Sequence, residues 1–294
     1  MSKTIKMVFK KILPKRARLF LREPYLKLRN RFKYGSSDFF STVDFETITT
    51  CNRRCSYCPN SIYERGLAKN KKLMNENIFK KIVKELAEIN FSGQIRPVFY
   101  GEPILDDRLE SWIAYLKENL PRSEIVVFTN GDFLTFDLYK KFTTAGADFF
   151  VISNHDGGNM PNTHRIFLDN FKKINYSGEG YVGEAAYSLD GKNIAIVYRN
   201  PSKMNLYNRG GLMKKINNLK FKPICRLPSE NLTIDWQGNV ILCCNDYLSS
   251  IKLGNLREKT ILQTWSNPVF SKIRKDLKKG ILNLEICKTC KKTT

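Results

Sequence analysis

Three cysteines within eight residues, Cys51-Asn-Arg-Arg-Cys55-Ser-Tyr-Cys58, follow a stretch over residues 43–49 that alternates apolar and polar side chains. Period-two alternation marks a half-buried strand. The thiols therefore fall in the loop at a strand's C-terminal end, where α/β folds place their active sites. The basic N-terminus lacks the apolar core of a secretory signal, and no apolar run is long enough to cross a bilayer. The expected location is the cytoplasm, where clustered cysteines serve metals or catalysis rather than disulfides. Three thiols are one too few to close a tetrahedral zinc or to ligate every iron of a cubane. They either hold a [4Fe–4S] cluster with one iron open or borrow a distant fourth cysteine for zinc.

The alternation of strand and helix signals continues to about residue 210. Ile78, Phe79, Ile82, Val83, Leu86 and Ile89 recur at helical spacing, as do Leu109, Trp112, Ile113 and Leu116. Residues 97–100 form a short apolar run, 125–129 and 149–153 read as strands, 138–144 as a helix and 194–198 as a later strand. Between them, 154–190 is rich in loop signals. This order implies a parallel sheet, either doubly wound or closed toward a barrel. The remainder holds five of the eight cysteines. There, 232–235 and 240–243 flank Gln237-Gly238-Asn239 as a hairpin, and 256–279 reads as helix interrupted at Pro268. Residues 1–40, 41–210 and 211–294 are thus expected to be an arm, a main α/β domain and a cysteine-rich module.

Net charge is +22, and the first 40 residues carry twelve Lys and Arg against Glu23 and Asp38. Ile5, Phe9, Ile12, Leu13, Phe20 and Leu21 recur among these charges at loosely helical spacing. The pattern suits a basic amphipathic helix over residues 1–33 on an anionic membrane or nucleic-acid surface, or equally a solvated helix packed by one face. The two histidines, His155 and His164, leave no H-E-x-x-H zinc site and little scope for a Ser-His-Asp triad. Both read as polar loop residues. No phosphate-binding G-x-x-x-x-G-K-[ST] loop is present. Gly178-Glu-Gly180-Tyr-Val-Gly183 matches the dinucleotide pattern without its preceding strand or following acid, and reads as a glycine-rich loop.

The C-x3-C-x2-C spacing, with Tyr57 before its third cysteine, resembles the radical S-adenosylmethionine (SAM) superfamily. Tyr100-Gly101-Glu102-Pro103 resembles the motif whose backbone and carboxylate hold the cofactor's methionine amino group. Phe128-Thr129-Asn130-Gly131 ends the next strand, as in the family. Ile152-Ser153-Asn154-His155-Asp156-Gly157 stands where many relatives have Ser-Ile-Asp-Gly, a departure that bears on assigning Ser153 to the ribose region. The resemblance implies an α/β fold, a partial (β/α)6 TIM-like barrel, with a [4Fe–4S] cluster on Cys51, Cys55 and Cys58. It also implies SAM held by Tyr57, Gly101, Glu102, Pro103, Thr129, Asn130 and Ser153. In the family, one electron from the cluster cleaves the sulfonium, giving methionine and a 5′-deoxyadenosyl radical that takes a hydrogen atom from the substrate. A flavodoxin- or ferredoxin-type electron donor is therefore expected.

Cys225-x17-Cys243, Gly238-x4-Cys243 and Cys287-x2-Cys290 resemble the SPASM/twitch extension of these enzymes, as do Leu253-Gly254-Asn255 and the stretch ending at Trp265. The resemblance implies a small C-terminal module with one auxiliary [4Fe–4S] cluster on Cys225, Cys243, Cys287 and Cys290, with Cys244 spare. A zinc ribbon on the same thiols is the other reading. Arg209, before the first auxiliary cysteine, is either a ligand of an anionic substrate or cofactor group or an exposed turn residue. Asp246 is a candidate base or a turn cap. The expected function is a radical SAM oxidoreductase acting on a carbohydrate-like or aminocyclitol metabolite, with the auxiliary cluster taking the second electron. A peptide-modifying maturase is the alternative. A zinc-holding nucleic-acid binder would explain the charge but not Gly101-Glu102-Pro103 or Thr129-Asn130-Gly131, so no specific nucleic acid is expected.

Overall fold

The strand signal resolves into β1 (Thr42–Phe45), buried at all four positions, and the chain beyond it keeps one bridge, Ile48 to Leu73. Burial on both faces follows from what packs there. Phe45 lies 5.7 Å from Phe79 of α1 (Glu76–Glu88), and Asp44 pairs with Arg96 on the opposite face. The buried residues of α1 are Ile78, Phe79, Ile82, Val83 and Leu86, while Ile89 has become the C-cap. The computed structural model describes residues 24–25, 28–35, 37–157, 159–175, 183, 185–191, 194–216 and 223–291. The helix expected between Ile5 and Leu21 lies outside them, as do Gly178 and Gly180.

The chain continues through β2 (Gln94–Arg96), α2 (Leu109–Asn119), β3 (Glu124–Thr129), α3 (Phe136–Ala145) and β4 (Phe149–Ser153). The second strand sits just before the apolar run at 97–100, because Pro97 lacks the N–H that a central strand must donate. The loop-rich stretch contains α4 (Asn162–Leu168) and an antiparallel hairpin of β5 (Lys172–Ile174) and β6 (Ala185–Ser188), followed by β7 (Ile196–Arg199). Then come β8 (Asn231–Ile234), β9 (Asn239–Ile241) and β10 (Lys252–Asn255). Gly238, at φ +85°, makes the β8–β9 turn, a conformation that favours glycine. The last helices are α5 (Ile261–Trp265), α6 (Pro268–Lys278) and α7 (Glu285–Thr289). Pro268 starts α6 where a missing N–H costs nothing, and Asn267 caps it.

The strand order is β10-β9-β8-β1-β2-β3-β4-β7-β6-β5. The six central strands, β8 to β7, run parallel, flanked by antiparallel β9, β10, β6 and β5. Among the described residues the two end strands do not pair, so this is a partial barrel rather than a closed one. Residues 41–294 form one compact unit and 1–40 another. Through β8, which runs parallel to β1, the cysteine-rich stretch adds its strands to the main sheet. In the N-terminal unit, residues 28–34 are helical, and Tyr34 stacks on Phe39 at 4.1 Å.

Inside the barrel, Val126, Val151 and Val197 form a buried layer, with the partly buried Phe128 and Phe149 packed against it. Two residues further along each strand the same face carries Phe128, Ser153 and Arg199. The interior therefore changes from apolar to polar toward the C-terminal strand ends, where the thiol loop sits.

Candidate active site

The loop after β1 is held by its own backbone. Cys51 N–H donates to Gly66 O at 3.1 Å, Cys58 N–H to Cys55 O at 2.8 Å, and Ser61 Oγ to Cys58 O at 2.7 Å. All three thiols are half-buried. Burial pushes the Cys51 thiol up to about 12 and raises those of Cys55 and Cys58. Metal binding here must displace protons.

Behind this loop lies the Gly-Glu turn. Gly101 packs so closely on β1's exit that a Cβ would collide with the Ile48 carbonyl oxygen, and Glu102 N–H donates to Thr50 O at 2.8 Å. The Glu102 carboxylate is buried. It accepts from Thr129 Oγ1 at 2.7 Å, Asn130 N at 2.8 Å and Ile104 N at 3.3 Å. A carboxylate offers about four acceptor sites, so one remains. Burial pushes Glu102 up to about 7, and the Asn130, Thr129 and Ile104 bonds pull against it. Pro103 opens the short turn that Glu102 caps. Asn130 also reaches Asn52 Oδ1 at 2.7 Å and the Cys51 sulfur at 4.0 Å.

Tyr57 OH is hydrogen-bonded to His155 Nδ1. Burial lowers His155 to about 4, helped by Arg53 and Arg199, so its imidazole is neutral at pH 7. Ser153 Oγ accepts from Arg199 Nε at 2.6 Å. Arg199 and Arg96 flank the Phe128 ring at 5.2 and 5.6 Å, and Arg96 forms a two-point ion pair with Asp44 at 2.5 and 2.8 Å. His164, expected in a loop, is instead buried on α4 and bonds Tyr198 OH at 3.1 Å.

Cys225, Cys243, Cys287 and Cys290 line one cavity together with Leu242, Leu277, Leu282 and Ile286. Cys244 does not line it; this residue lies within electrostatic reach of Asp44, Arg209 and Arg96, toward the barrel interior. Adjacent residues on extended chain point to opposite sides. Asn245 bridges the two sides: its Nδ2 contacts Cys290 Sγ at 4.0 Å and its Oδ1 accepts from Arg209 Nη1 at 3.4 Å. Arg209 lies over the Tyr100 ring at 5.6 Å, and its Nε is buried without a hydrogen-bond partner. Asp246 is buried and accepts from Ser250 N, Ser250 Oγ and Ile251 N at 2.6–2.9 Å, the bonds of a turn cap. Leu253-Gly254-Asn255 falls in β10, and Trp265 ends α5 and stacks on Arg274 at 4.0 Å.

A hydrogen-bonded bridge that no local sequence pattern announces joins the two thiol sets. Asn60, two residues beyond Cys58, donates to Tyr100 O at 3.0 Å and accepts from Tyr247 OH at 2.9 Å. Tyr100 OH donates to Cys244 O at 2.9 Å. Arg53 was equally unmarked in the sequence, yet it grips Asp132 and Asp156 with two bonds each.

The donor sets fit iron–sulfur clusters. Three thiols, with a carboxylate that keeps one acceptor site and the close-packed Gly101 backbone beside them, suit a cluster that leaves one iron for a cofactor. The four auxiliary thiols, the number that fully ligates a cubane, line one cavity together with apolar side chains.

Residues 45–175 match the model of the radical SAM superfamily, and 225–291 match SPASM, an iron–sulfur cluster-binding domain. The SAM-dependent 2-deoxy-scyllo-inosamine dehydrogenase of Niallia circulans is 31% identical over 253 residues, 85% of this chain and 92% of that protein. The crystal structure of BtrN in complex with AdoMet and 2-DOIA matches with a TM-score of 0.72 and 30% identity, over 86% of this chain and 93% of that one. BtrN in an open conformation matches at 0.62 and 27%, covering 86% and 92%. The cofactors that follow are SAM and [4Fe–4S] clusters, served by both matched domains. The chain belongs to the radical SAM superfamily, as an enzyme with a SPASM-type iron–sulfur domain joined to a partial barrel.

Proposed function

We propose that the chain is a radical SAM dehydrogenase that oxidises a secondary alcohol of a carbohydrate-like small molecule, in the first instance an aminocyclitol, to a ketone. The observation that carries this reading is the placement of four thiols around one cavity, joined through Tyr100 and Asn60 to the loop of the first three. Similarity to the scyllo-inosamine dehydrogenase supports the substrate class. When bound, the cofactors would supply hydrogen-atom abstraction from the carbinol carbon and an acceptor for the remaining electron, the hydroxyl proton leaving to balance the oxidation.

The rest is the work of this chain's side chains. Cys51, Cys55 and Cys58 hold the first cluster, and Cys225, Cys243, Cys287 and Cys290 the second. Glu102 offers its fourth acceptor site to the cofactor ammonium, and Thr129 and Asn130 hold that carboxylate in place. The backbone at Gly101 and Pro103 walls the same side. Tyr57 and Ser153 face the adenosine side, each fixed from behind by His155 and Arg199 respectively. Arg209, between the two thiol sets, orients the substrate. Asp246 caps the turn after Cys243, accepting from Ser250 and Ile251, and keeps one acceptor site.

The functional division is an arm at 1–40, a barrel at 41–210 and a cluster module at 211–294. The enzyme works in the cytoplasm, receives its electron from a flavodoxin- or ferredoxin-type protein, and uses residues 1–33 to approach anionic membrane surfaces. No helix among the described residues is long and apolar enough to cross a membrane. Anaerobic incubation with SAM, dithionite and a panel of aminocyclitols and polyols tests the reading. It predicts ketone and 5′-deoxyadenosine in one-to-one ratio; 5′-deoxyadenosine that forms only with peptides added would refute it.

A further inference from the structure

Arg53 sits inside the thiol loop, between Cys51 and Cys55. Its Nε and Nη2 bond Asp132 Oδ2 and Oδ1, both at 2.6 Å. Its Nη1 and Nη2 bond Asp156 Oδ1 and Oδ2 at 2.6 and 2.8 Å. Asp132 follows β3 and Asp156 follows β4, 79 and 103 residues away in sequence. Two forked guanidinium–carboxylate contacts on one arginine fix both distance and plane. The Arg53 and Asp132 side chains are only 20% and 19% exposed, so the pair is sheltered from the screening that weakens surface ion pairs.

The clamp does not stand alone. Asn52 Nδ2 donates to Asp132 Oδ2 at 2.6 Å, Asn130 Nδ2 donates to Asn52 Oδ1 at 2.7 Å, and Asn130 N–H donates to Glu102 at 2.8 Å. One continuous polar network therefore runs from Glu102 through Asn130, Asn52, Asp132 and Arg53 to Asp156. It links the loops after β1, β2, β3 and β4, and passes the Cys51 sulfur on the way. We propose that Arg53 is a positioning residue. By locking the thiol loop onto Asp132 and Asp156, it sets the distance between the thiols of that loop and the carboxylate of Glu102, the groups that would hold the cluster and the cofactor. The cysteines themselves keep the cluster; the clamp decides how well SAM fits over it.

This inference rests on the cofactor assignment above, and the experiment separates the two. Reconstituted wild type, Arg53→Ala, Arg53→Lys and Asp156→Asn proteins are compared by iron content, melting temperature and the SAM-induced change in the electron paramagnetic resonance spectrum of the reduced first cluster, titrated to give an affinity. Groups that orient metal-site ligands typically matter by about 10–100-fold. Arg53→Ala is expected to keep its iron and bind SAM at least about tenfold more weakly, with an altered bound spectrum. Arg53→Lys keeps the charge but not the fork and is expected to fall near Arg53→Ala. Asp156→Asn, which leaves the Asp132 half intact, is expected to lie between Arg53→Ala and wild type. A lowered melting temperature with wild-type affinity and spectrum would overturn the proposal, and so would loss of first-cluster iron in Arg53→Ala. Should Arg53→Ala not fold, wild-type affinity in Asp156→Asn decides against the clamp. Wild-type protein that shows no SAM-induced change would overturn the cofactor assignment itself.

Discussion

Replacing Glu102 by Gln separates the charge of this side chain from its shape. Glu102 is 3% exposed, and burial pushes its carboxyl up to about 7 against three hydrogen bonds that favour the anion. Only the anion pairs with a cofactor ammonium. Below pH 7 the carboxyl must first lose a proton, so SAM affinity in the wild type should fall by about tenfold per pH unit, or about 1.4 kcal/mol. Above pH 7 this dependence levels off. At pH 8, removing the charge should cost about 2–5 kcal/mol, roughly 30-fold to several-thousand-fold in affinity. The Gln variant should also lack the limb below pH 7.

Folding stability should respond with the opposite sign. A raised acid pKa means that the contribution of Glu102 to stability is present below its ordinary value near 4.5 and is lost as pH rises through about 7. Without cofactor, the Gln variant should therefore gain on the wild type between pH 5 and 8, by about 3 kcal/mol at most. Titration calorimetry with SAM from pH 6 to 8, with thermal melts alongside, measures both. Equal SAM affinity in the two proteins, or a wild-type affinity flat across pH 6–8, would refute the role given to Glu102.

Cys243→Ala should lose about four irons and Cys244→Ala none, since only Cys243 lines the auxiliary cavity; iron lost from Cys244→Ala instead would reverse the choice, and four irons plus one zinc in the wild type would make the site a zinc ribbon. Arg209→Met should lower ketone formation at least about tenfold, given the worth of a hydrogen bond to a charged group. Unchanged ketone formation would remove Arg209 from the substrate site. Deleting residues 1–33 should leave SAM cleavage intact and weaken sedimentation with anionic vesicles at low salt, at about 1 kcal/mol per basic residue. If the full-length protein does not sediment either, the arm has another role.

The legible parts of the sequence were those with local signals. The thiol spacings marked both cysteine sets, and Gly238 with its flanking alternation marked the β8–β9 hairpin that the structure contains. Side chains at positions 78, 79, 82, 83 and 86 form the buried face of α1, as their spacing implies. What stayed hidden depends on contacts between distant loops. Arg53 meets Asp132 and Asp156 only because β1, β3 and β4 end on the same side of one sheet. His155 found a partner in Tyr57 across 98 residues, and nothing near either residue announces it. Asp44 and Arg96 were visible as charges within strands, but their pairing needs the β1–β2 register that sets them side by side. The donors around Asp246 are local, since its neighbours Ser250 and Ile251 bond it as they bond a turn cap.

Under the proposed function, this chain oxidises an alcohol carbon by hydrogen-atom transfer to the cofactor, with the second electron leaving through the auxiliary cluster. Mass spectrometry after anaerobic turnover of an aminocyclitol deuterated at the reacting carbinol carbon tests it most directly, with Cys287→Ala beside the wild type. The wild type should place one deuterium in 5′-deoxyadenosine for each ketone formed, and Cys287→Ala should transfer the label without forming ketone. Ketone produced with unlabelled 5′-deoxyadenosine, or equal ketone from both proteins, would contradict it.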